Sequence, residues 1–525
     1  MALMGFIQSG EEKQKDINGS IIVPETFTHS IAFGETGCGK TSSYIYPNLK
    51  QRLLLGHGIL LYDYKGKEHL SVKLLAEESG RLKDVVEIGK PWGEKINLIQ
   101  KMDEDELDKF FDNILKHGED SKFWQNSAKS LGQILLQVLK GIEDFAILLE
   151  ALEDEKREYI RAGEYKYPLR RTLDSLVKVC KTFETLKVFI ANLKNLQRSV
   201  ERVIQESARK SLAKHGDSRV VRMQYHKLIA SAESLKSIIQ TNQNSFESFG
   251  EDSNENLTQN IIGSLIPPLI SLSQNEGFNS NDFDIVDALN RGKIVIVNVE
   301  SLSASAMESL NNSVLYELSK RTKSLNLHPI SIFIDEVQRV VSKSTDMPID
   351  VFREAKVDLF LATQNSSLLK EKLKSEKFEA LMGNLTQKFY YKSSVDEDLG
   401  VDDALLFLEP FSFLSSVDNF SEVQKSKPLF LDDAKKIKIE YNYQKSFNVL
   451  ENYLYQYKDK KIILDYDVRL YRENSVLVFD IGTKKEYIMQ SYTKENILYL
   501  NKKVETLFAS LSNEDNDFLE EFLVS

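Results

Sequence analysis

Cysteine is almost missing from this chain: 525 residues carry two, Cys38 and Cys180. Two thiols cannot make a disulfide framework, and without a CxxC pair or a Cys/His cluster no zinc-type site is written in the sequence. A reducing, cytoplasmic compartment suits such a chain. Long apolar runs are missing too. A membrane helix needs about 20 consecutive apolar residues, and no stretch provides them. Residues 1–14 turn acidic too soon for a secretory signal. The expectation is a cytoplasmic protein that reaches the inner face of a cell membrane only through an integral partner. A surplus of positive charge is also lacking: 68 Lys+Arg stand against 79 Asp+Glu, a net charge of −11. That excludes a globally basic nucleic-acid binder, so any contact with DNA must be local.

What is present is a set of short β-branched runs of the kind that fill a parallel sheet covered on both faces. They are Ser30–Phe33, Ile59–Tyr62, Val85–Ile88, Lys293–Val299, Ser331–Ile334, Asp358–Ala362 and Lys388–Lys392. Three precede residue 100 and four lie between 290 and 395. The middle, 101–289, is rich in Leu, Lys, Glu, Gln and Ser at helical spacing. Leu131, Ile134, Leu135 and Leu139 form one apolar stripe, and Leu186, Val188, Ile190, Leu193 and Leu196 a less regular one. Pro267–Pro268 is expected to end or kink a helix near the return to the sheet. These textures divide the chain into 1–100 and 290–400, two parts of one nucleotide-binding domain; 101–289, an inserted all-α domain; and 401–525, an appendage of open role. Within the appendage Lys461–Tyr471 and Val476–Ile481 suggest a hairpin, with a third run at Tyr487–Gln490 and an acidic tail at Asn513–Glu521. Residues 161–230 carry 16 Lys/Arg against 6 Asp/Glu, which reads either as solvated helix faces or as a surface for DNA or an acidic partner.

The sharpest motif is Gly34-Glu35-Thr36-Gly37-Cys38-Gly39-Lys40-Thr41, which matches G-x-x-x-x-G-K-[ST] directly after an apolar strand. Glycines let successive N–H groups turn inward toward phosphate oxygens, and the following helix adds its dipole. Residues 34–42, with Ser42 closing the loop, are the candidate ATP contacts. Lys40 is placed to reach the β- and γ-phosphates, and the Thr41 hydroxyl to meet Mg²⁺. Cys38 reads mainly as a small residue in a tight loop, with a reactive thiol as the alternative. A second motif, Ser331-Ile332-Phe333-Ile334-Asp335-Glu336, is a buried strand ending in two carboxylates, where open α/β sheets bind ligands. Asp335 is the candidate second magnesium ligand, and Glu336 the residue that polarises water. Leu359-Phe360-Leu361-Ala362-Thr363-Gln364 is a strand ending in polar residues, and Gln364 is the candidate sensor of γ-phosphate.

The two motifs are far apart in sequence, and the order of segments around them resembles the type IV secretion coupling proteins, the TraG/TraD group within the FtsK–HerA class of P-loop DNA motors. His29-Ser30-Ile31-Ala32-Phe33-Gly34 looks like that family's strand leading into the loop. Tyr44-Ile45-Tyr46-Pro47-Asn48-Leu49 follows it. Asp63-Tyr64-Lys65-Gly66-Lys67-Glu68 is similar to its D-x-K-G-E segment. Ile96-Asn97-Leu98 resembles its N-P-L segment without the proline. Phe123-Trp124-Gln125-Asn126-Ser127-Ala128 resembles the start of its all-α domain. Phe352-Arg353-Glu354-Ala355-Lys356 and Met382-Gly383-Asn384 keep the family order. The likeness covers roughly 20–130 and 260–395. It implies an α/β, RecA-like P-loop domain with a mostly parallel sheet, an inserted all-α domain and a C-terminal α+β appendage. It further implies a homo-oligomeric, hexameric ring that uses ATP and Mg²⁺ to move DNA, with a relaxase or other secretion-system proteins as partners. Arg353 matches the basic residue that would complete a neighbour's site, with Lys356 and Arg339 as fallbacks. Membrane-bound members begin with transmembrane helices, which are not seen in this sequence. Two other readings compete: a HerA-like DNA-processing motor, and a cargo-recruiting receptor that binds ATP with little turnover.

Overall fold

The computed structural model describes residues 18–441 apart from 91, 116–121, 153–168, 213–218, 274–275, 280–282, 301, 324–326, 344, 346, 394–402 and 421, together with 469–473, 476–480 and 485–489. The chain forms two compact units, one made of 1–96 with 282–525, the other of 97–281.

The first unit is built on a nine-stranded sheet. Its strands are β1 (Ser30–Phe33), β2 (Gly58–Asp63), β3 (Val85–Ile88), β4 (Ile294–Asn298), β5 (Ile330–Asp335), β6 (Val357–Thr363), β7 (Gln387–Tyr390), β8 (Ser412–Ser415) and β9 (Gln424–Lys425). The order is β3-β4-β2-β5-β6-β1-β7-β8-β9. β1 to β7 run parallel, and β8 and β9 add antiparallel edges. Every residue of β2, β5 and β6 is buried, which explains why these segments read as unbroken apolar runs instead of alternating. Helices such as Tyr46–Leu54, Glu68–Glu78 and Ala304–Ser319 carry the crossovers that parallel pairing needs. The fold is thus α/β and RecA-like, with β6 inserted between the loop-bearing β1 and the carboxylate-bearing β5.

Ala32, Leu49, Leu61, Phe333, Phe360 and Phe389 share one core cluster. Phe333 and Phe360 stack with centroids 4.5 Å apart, and each buried ring contributes on the order of 2 kcal/mol. Arg52, fully buried, bonds Asp358 Oδ2 at 2.9 Å and lies over the Phe360 ring. This ties the end of the first helix to the start of β6.

Residues 403–441 were expected in the appendage. β8 pairs with β7 instead (Phe389 with Ser415, Tyr390 with Leu414), so this segment extends the main sheet. Farther on, Arg469–Glu473, Val476–Asp480 and Lys485–Met489 form a separate three-stranded antiparallel sheet. Residues 461–468 of the first expected run, and the acidic tail, lie outside the described residues.

The second unit is helical among its described residues: Glu104–Ile114, Lys122–Leu152, Leu173–Cys180, Phe183–Leu212, Arg219–Thr241, Gln243–Gly250 and Glu255–Ser273. Leu131, Leu135 and Leu139 are buried as their spacing requires, while Val188 is 42% exposed and belongs to no inner face. The expected break at Pro267–Pro268 does not end the helix, which runs on to Ser273. Each interior proline costs about 3 kcal/mol, but Ile262, Leu265, Ile266, Leu269 and Leu272 are all buried along this helix, and that apolar burial outweighs the local penalty.

Candidate active site

The loop after β1 is fixed at both sides. Gly34 N–H donates to Thr363 O at 3.2 Å, and Glu35 N–H to Lys392 O at 2.8 Å. Gly37 and Gly39 hold φ of 86° and 107°, values that side-chain-bearing residues rarely adopt. The chain then enters a helix whose first turn, Thr41–Ile45, is π-type before it tightens into Tyr46–Leu54. Pro47 removes one backbone donor just there, and a wide turn accommodates the loss. Lys40 curls back over the loop: Nζ donates to Gly34 O and, at 3.0 Å, to Glu35 O. The Cys38 thiol is buried, and burial pushes its pKa up despite the nearby Lys40. That environment opposes the reactive-thiol alternative.

β5 delivers the second half. Thr41 Oγ1 donates to Asp335 Oδ2 at 2.9 Å. Glu336, the next residue, has a left-handed backbone (φ 70°), a conformation costing about 1–2 kcal/mol outside glycine. The turn aims its carboxylate beside Lys65, whose Nζ lies 3.1 Å from Glu336 Oε1, 3.4 Å from Asp335 Oδ2 and 3.7 Å from Glu68 Oε1. Burial alone would lower the Lys65 pKa, but Asp335, Glu68 and Glu336 together hold it above the ordinary lysine range. Burial first, and then Asp63, push the Glu68 carboxyl up to about 9. Asp63, at the end of β2, accepts from the backbone N–H groups of Lys67, Glu68 and His69 and from His69 Nδ1. It therefore caps the helix Glu68–Glu78, and these bonds outweigh the effect of burial and keep it well below the usual carboxylate range.

A cleft of about 350 Å³ opens between these elements, within the size range of small-molecule sites. Thr36, Gly37, Gly39, Lys40, Thr41, Ser42, Asp335, Glu336 and Gln364 all line it. Gly34, Glu35 and Cys38 shape the loop without lining the cleft. Gln364 follows β6, which hydrogen-bonds to both β1 and β5. Arg353 is not brought here. It is exposed at the end of the short helix Ile349–Phe352, and Lys356 forms the left-handed turn leading into β6. Both precede β6, about 20 Å from its carboxyl end at 3.3 Å per residue. Arg339 is engaged within its own chain, 3.4 Å from Glu336 Oε2 and over the Tyr64 ring.

Lys65, Phe411 and Phe430 also line the cleft, and sequence reasoning assigned them no part in it. For Lys65 a signal existed: it stands two residues past the carboxyl end of a buried strand, the side where sheets of this kind bind ligands. Phe411 and Phe430 carry no pattern at all.

The residues fit a magnesium nucleotide. A glycine-rich loop with Lys40 beside the cleft suits phosphate oxygens, and a hydroxyl with a carboxylate suits a hard oxygen-seeking cation. No protein-family model matches the chain, and no curated protein does. Solved structures similar to it include plasmid coupling protein TrwB in complex with a non-hydrolysable ATP analogue (13% identity, TM-score 0.42, covering 81% of this chain and 92% of that one). TrwB in complex with ADP and Mg²⁺ is another (13%, 0.40, 78% and 86%). VirB4 of Thermoanaerobacter pseudethanolicus is a third (12%, 0.39, 78% and 90%).

Proposed function

We propose that this chain is a Mg²⁺-dependent P-loop ATPase that couples ATP turnover to DNA translocation, in the manner of a conjugative or type IV secretion coupling protein. The observation that carries the catalytic part is the Thr41–Asp335 hydrogen bond, which joins the phosphate loop to the strand that presents Glu336. In this reading the loop amides and Lys40 bind the β- and γ-phosphates. Thr41 and Asp335 hold Mg²⁺, which when bound offsets phosphate charge. Glu336 orients a water and accepts its proton, and Gln364 reports on the γ-phosphate. Arg353, away from its own cleft, serves a neighbour in a hexameric ring.

Support for a DNA contact comes from the second unit. On the helix Phe183–Leu212, Lys194, Arg198, Arg202 and Arg209 are exposed, while Lys187 is half-buried and paired with Asp252. At 100° per residue the four exposed cations fall within about 80° of one another, a basic stripe about 22 Å long at 1.5 Å per residue. A phosphate backbone fits such a stripe despite the chain's net negative charge. A cytoplasmic ring recruited to the membrane by an integral partner, receiving a relaxase-bound strand, completes the reading. Among the described residues no helix is long and apolar enough to cross a membrane.

The test is the ATPase rate with no DNA, single-stranded DNA and double-stranded DNA, each at two salt concentrations. Stimulation that weakens at high salt supports a DNA-coupled motor. A low rate, indifferent to DNA, shifts the assignment to a cargo-recruiting ATP binder.

A further inference from the structure

Two aromatic rings wall one side of the cleft and take no part in the chemistry above. Phe411 is anchored by its backbone: its N–H donates to Cys38 O at 3.0 Å, and its carbonyl accepts from Ser426 N–H at 2.9 Å. It is held at φ 66°, a left-handed conformation that is unusual for a bulky residue and gathers at ligand sites. Its ring lies so close to Gly39 that any side chain there would collide with it. Phe430 is set by its neighbour, since Leu429 N–H donates to Ser42 O at 2.7 Å. The two rings meet edge to face, centroids 5.7 Å apart and planes at 85°. Phe430 is nevertheless 73% exposed. The segment 403–441 thus gives the cleft two phenyl rings and no polar side chain.

We propose that Phe411 and Phe430 form the base subsite of this cleft, on which the purine of a nucleoside triphosphate stacks. The inference rests on the ATPase reading. In the ATPase reading the loop holds the phosphate end as far as Ser42, and Phe411 and Leu429, the neighbour of Phe430, donate to Cys38 O and Ser42 O of that same loop, so the aromatic pair lies where the other end of the nucleotide must go. An exposed ring continuous with a phosphate cradle fits a flat aromatic ligand better than an aliphatic one. Because the polar side chains of the cleft belong to the loop, to Tyr46, whose hydroxyl donates to Ser71, and to residues at or just past the ends of β2, β5 and β6, stacking holds the base while no group from 403–441 reads its edge. ATP and GTP therefore bind with similar affinity, since every base offers a π-face.

The experiment compares dissociation constants of the full-length protein for Mg·ATP, Mg·GTP and inorganic Mg·tripolyphosphate, by calorimetry, in wild type, Phe430→Ala and Phe430→Trp. Expected is a loss of about tenfold for both nucleotides in Phe430→Ala, no change for tripolyphosphate, and recovery in Phe430→Trp. Unchanged nucleotide affinity in Phe430→Ala overturns the proposal, as does an equal loss for tripolyphosphate, which would mark a structural role. Wild-type protein that binds neither ATP nor tripolyphosphate would instead sink the ATPase reading itself.

Discussion

Lys65 Nζ stands 3.1 Å from Glu336 Oε1, so the carboxylate proposed to orient water is ion-paired within its own chain. The same ammonium reaches Asp335 Oδ2, the oxygen that also accepts from Thr41. If Asp335 holds magnesium as proposed, a cation there competes with the metal for one acceptor. Lys65→Ala should lower the Mg²⁺ concentration needed for half-maximal ATP binding by about three- to tenfold, a modest factor because the side chain is 45% exposed and screened. A magnesium titration of nucleotide binding reads this directly. An unchanged midpoint would show that Lys65 does not compete.

Glu336→Gln keeps the shape of the side chain and removes the proposed base. ATP binding should persist while turnover falls about 10²- to 10⁴-fold. Single-turnover hydrolysis beside equilibrium binding separates the two effects, and a normal rate would remove Glu336 from its assigned role.

Lys40→Ala should abolish turnover and leave the fold intact, because the lysine bonds only carbonyls of its own loop and the neighbouring Cys38. Loss of nucleotide binding with an unchanged thermal midpoint is the expected pair of results.

Mixing inactive Arg353→Ala subunits with inactive Lys40→Ala subunits should restore part of the ATPase activity, since some interfaces then join an intact Lys40 to an intact Arg353. No recovery at any mixing ratio would rule out action of Arg353 between subunits.

Glu440 binds Lys73 through Oε2 and His69 Nε2 through Oε1 at 3.3 Å. Burial would raise its pKa, but the His69 bond and the Lys73 charge outweigh that and hold it at about 2. Its stabilisation is therefore present above the unfolded value near 4.3 and lost as pH falls toward 2. His69, which burial alone would lower, is raised by Asp63 and Glu440. Its contribution is full below about 6.5 and lost as pH rises through the folded value. The stability gap between wild type and Glu440→Gln, on the order of 2 kcal/mol, should peak between about pH 5 and 6.5. It should narrow on the alkaline side without vanishing, because Lys73 remains. Thermal melts from pH 3 to 9 test this, and a flat gap from pH 5 to 9 would show that His69 does not titrate against Glu440.

The parallel strands were legible because burial on both faces leaves a local mark, an unbroken apolar run, and all seven expected strands formed, two with the expected ends and five with ends shifted by one or two residues. The phosphate loop was legible because its glycines answer a local backbone demand. The left-handed Glu336 had no such mark, since nothing in Ile334-Asp335-Glu336 distinguishes a strained carboxylate from an ordinary strand end. Phe411 and Phe430 were hidden for a different reason: they stand in a stretch of no regular period, and only the pairing of β8 with β7 carries that stretch to the loop.

The sequence alone determined the pieces whose physics is local: a glycine-rich turn after a buried strand, two carboxylates at the end of another, and helices wherever apolar residues recur at helical spacing. The tertiary structure decided everything that depends on distant partners. It set Asp335 against Thr41 across 294 positions and Glu440 against His69 across 371. It also carried a helix through two prolines by burying the leucines and isoleucines around them. A charge, a ring or a proline has no fixed energy of its own, because that energy is set by which groups surround it, and those neighbours are chosen only when the chain folds.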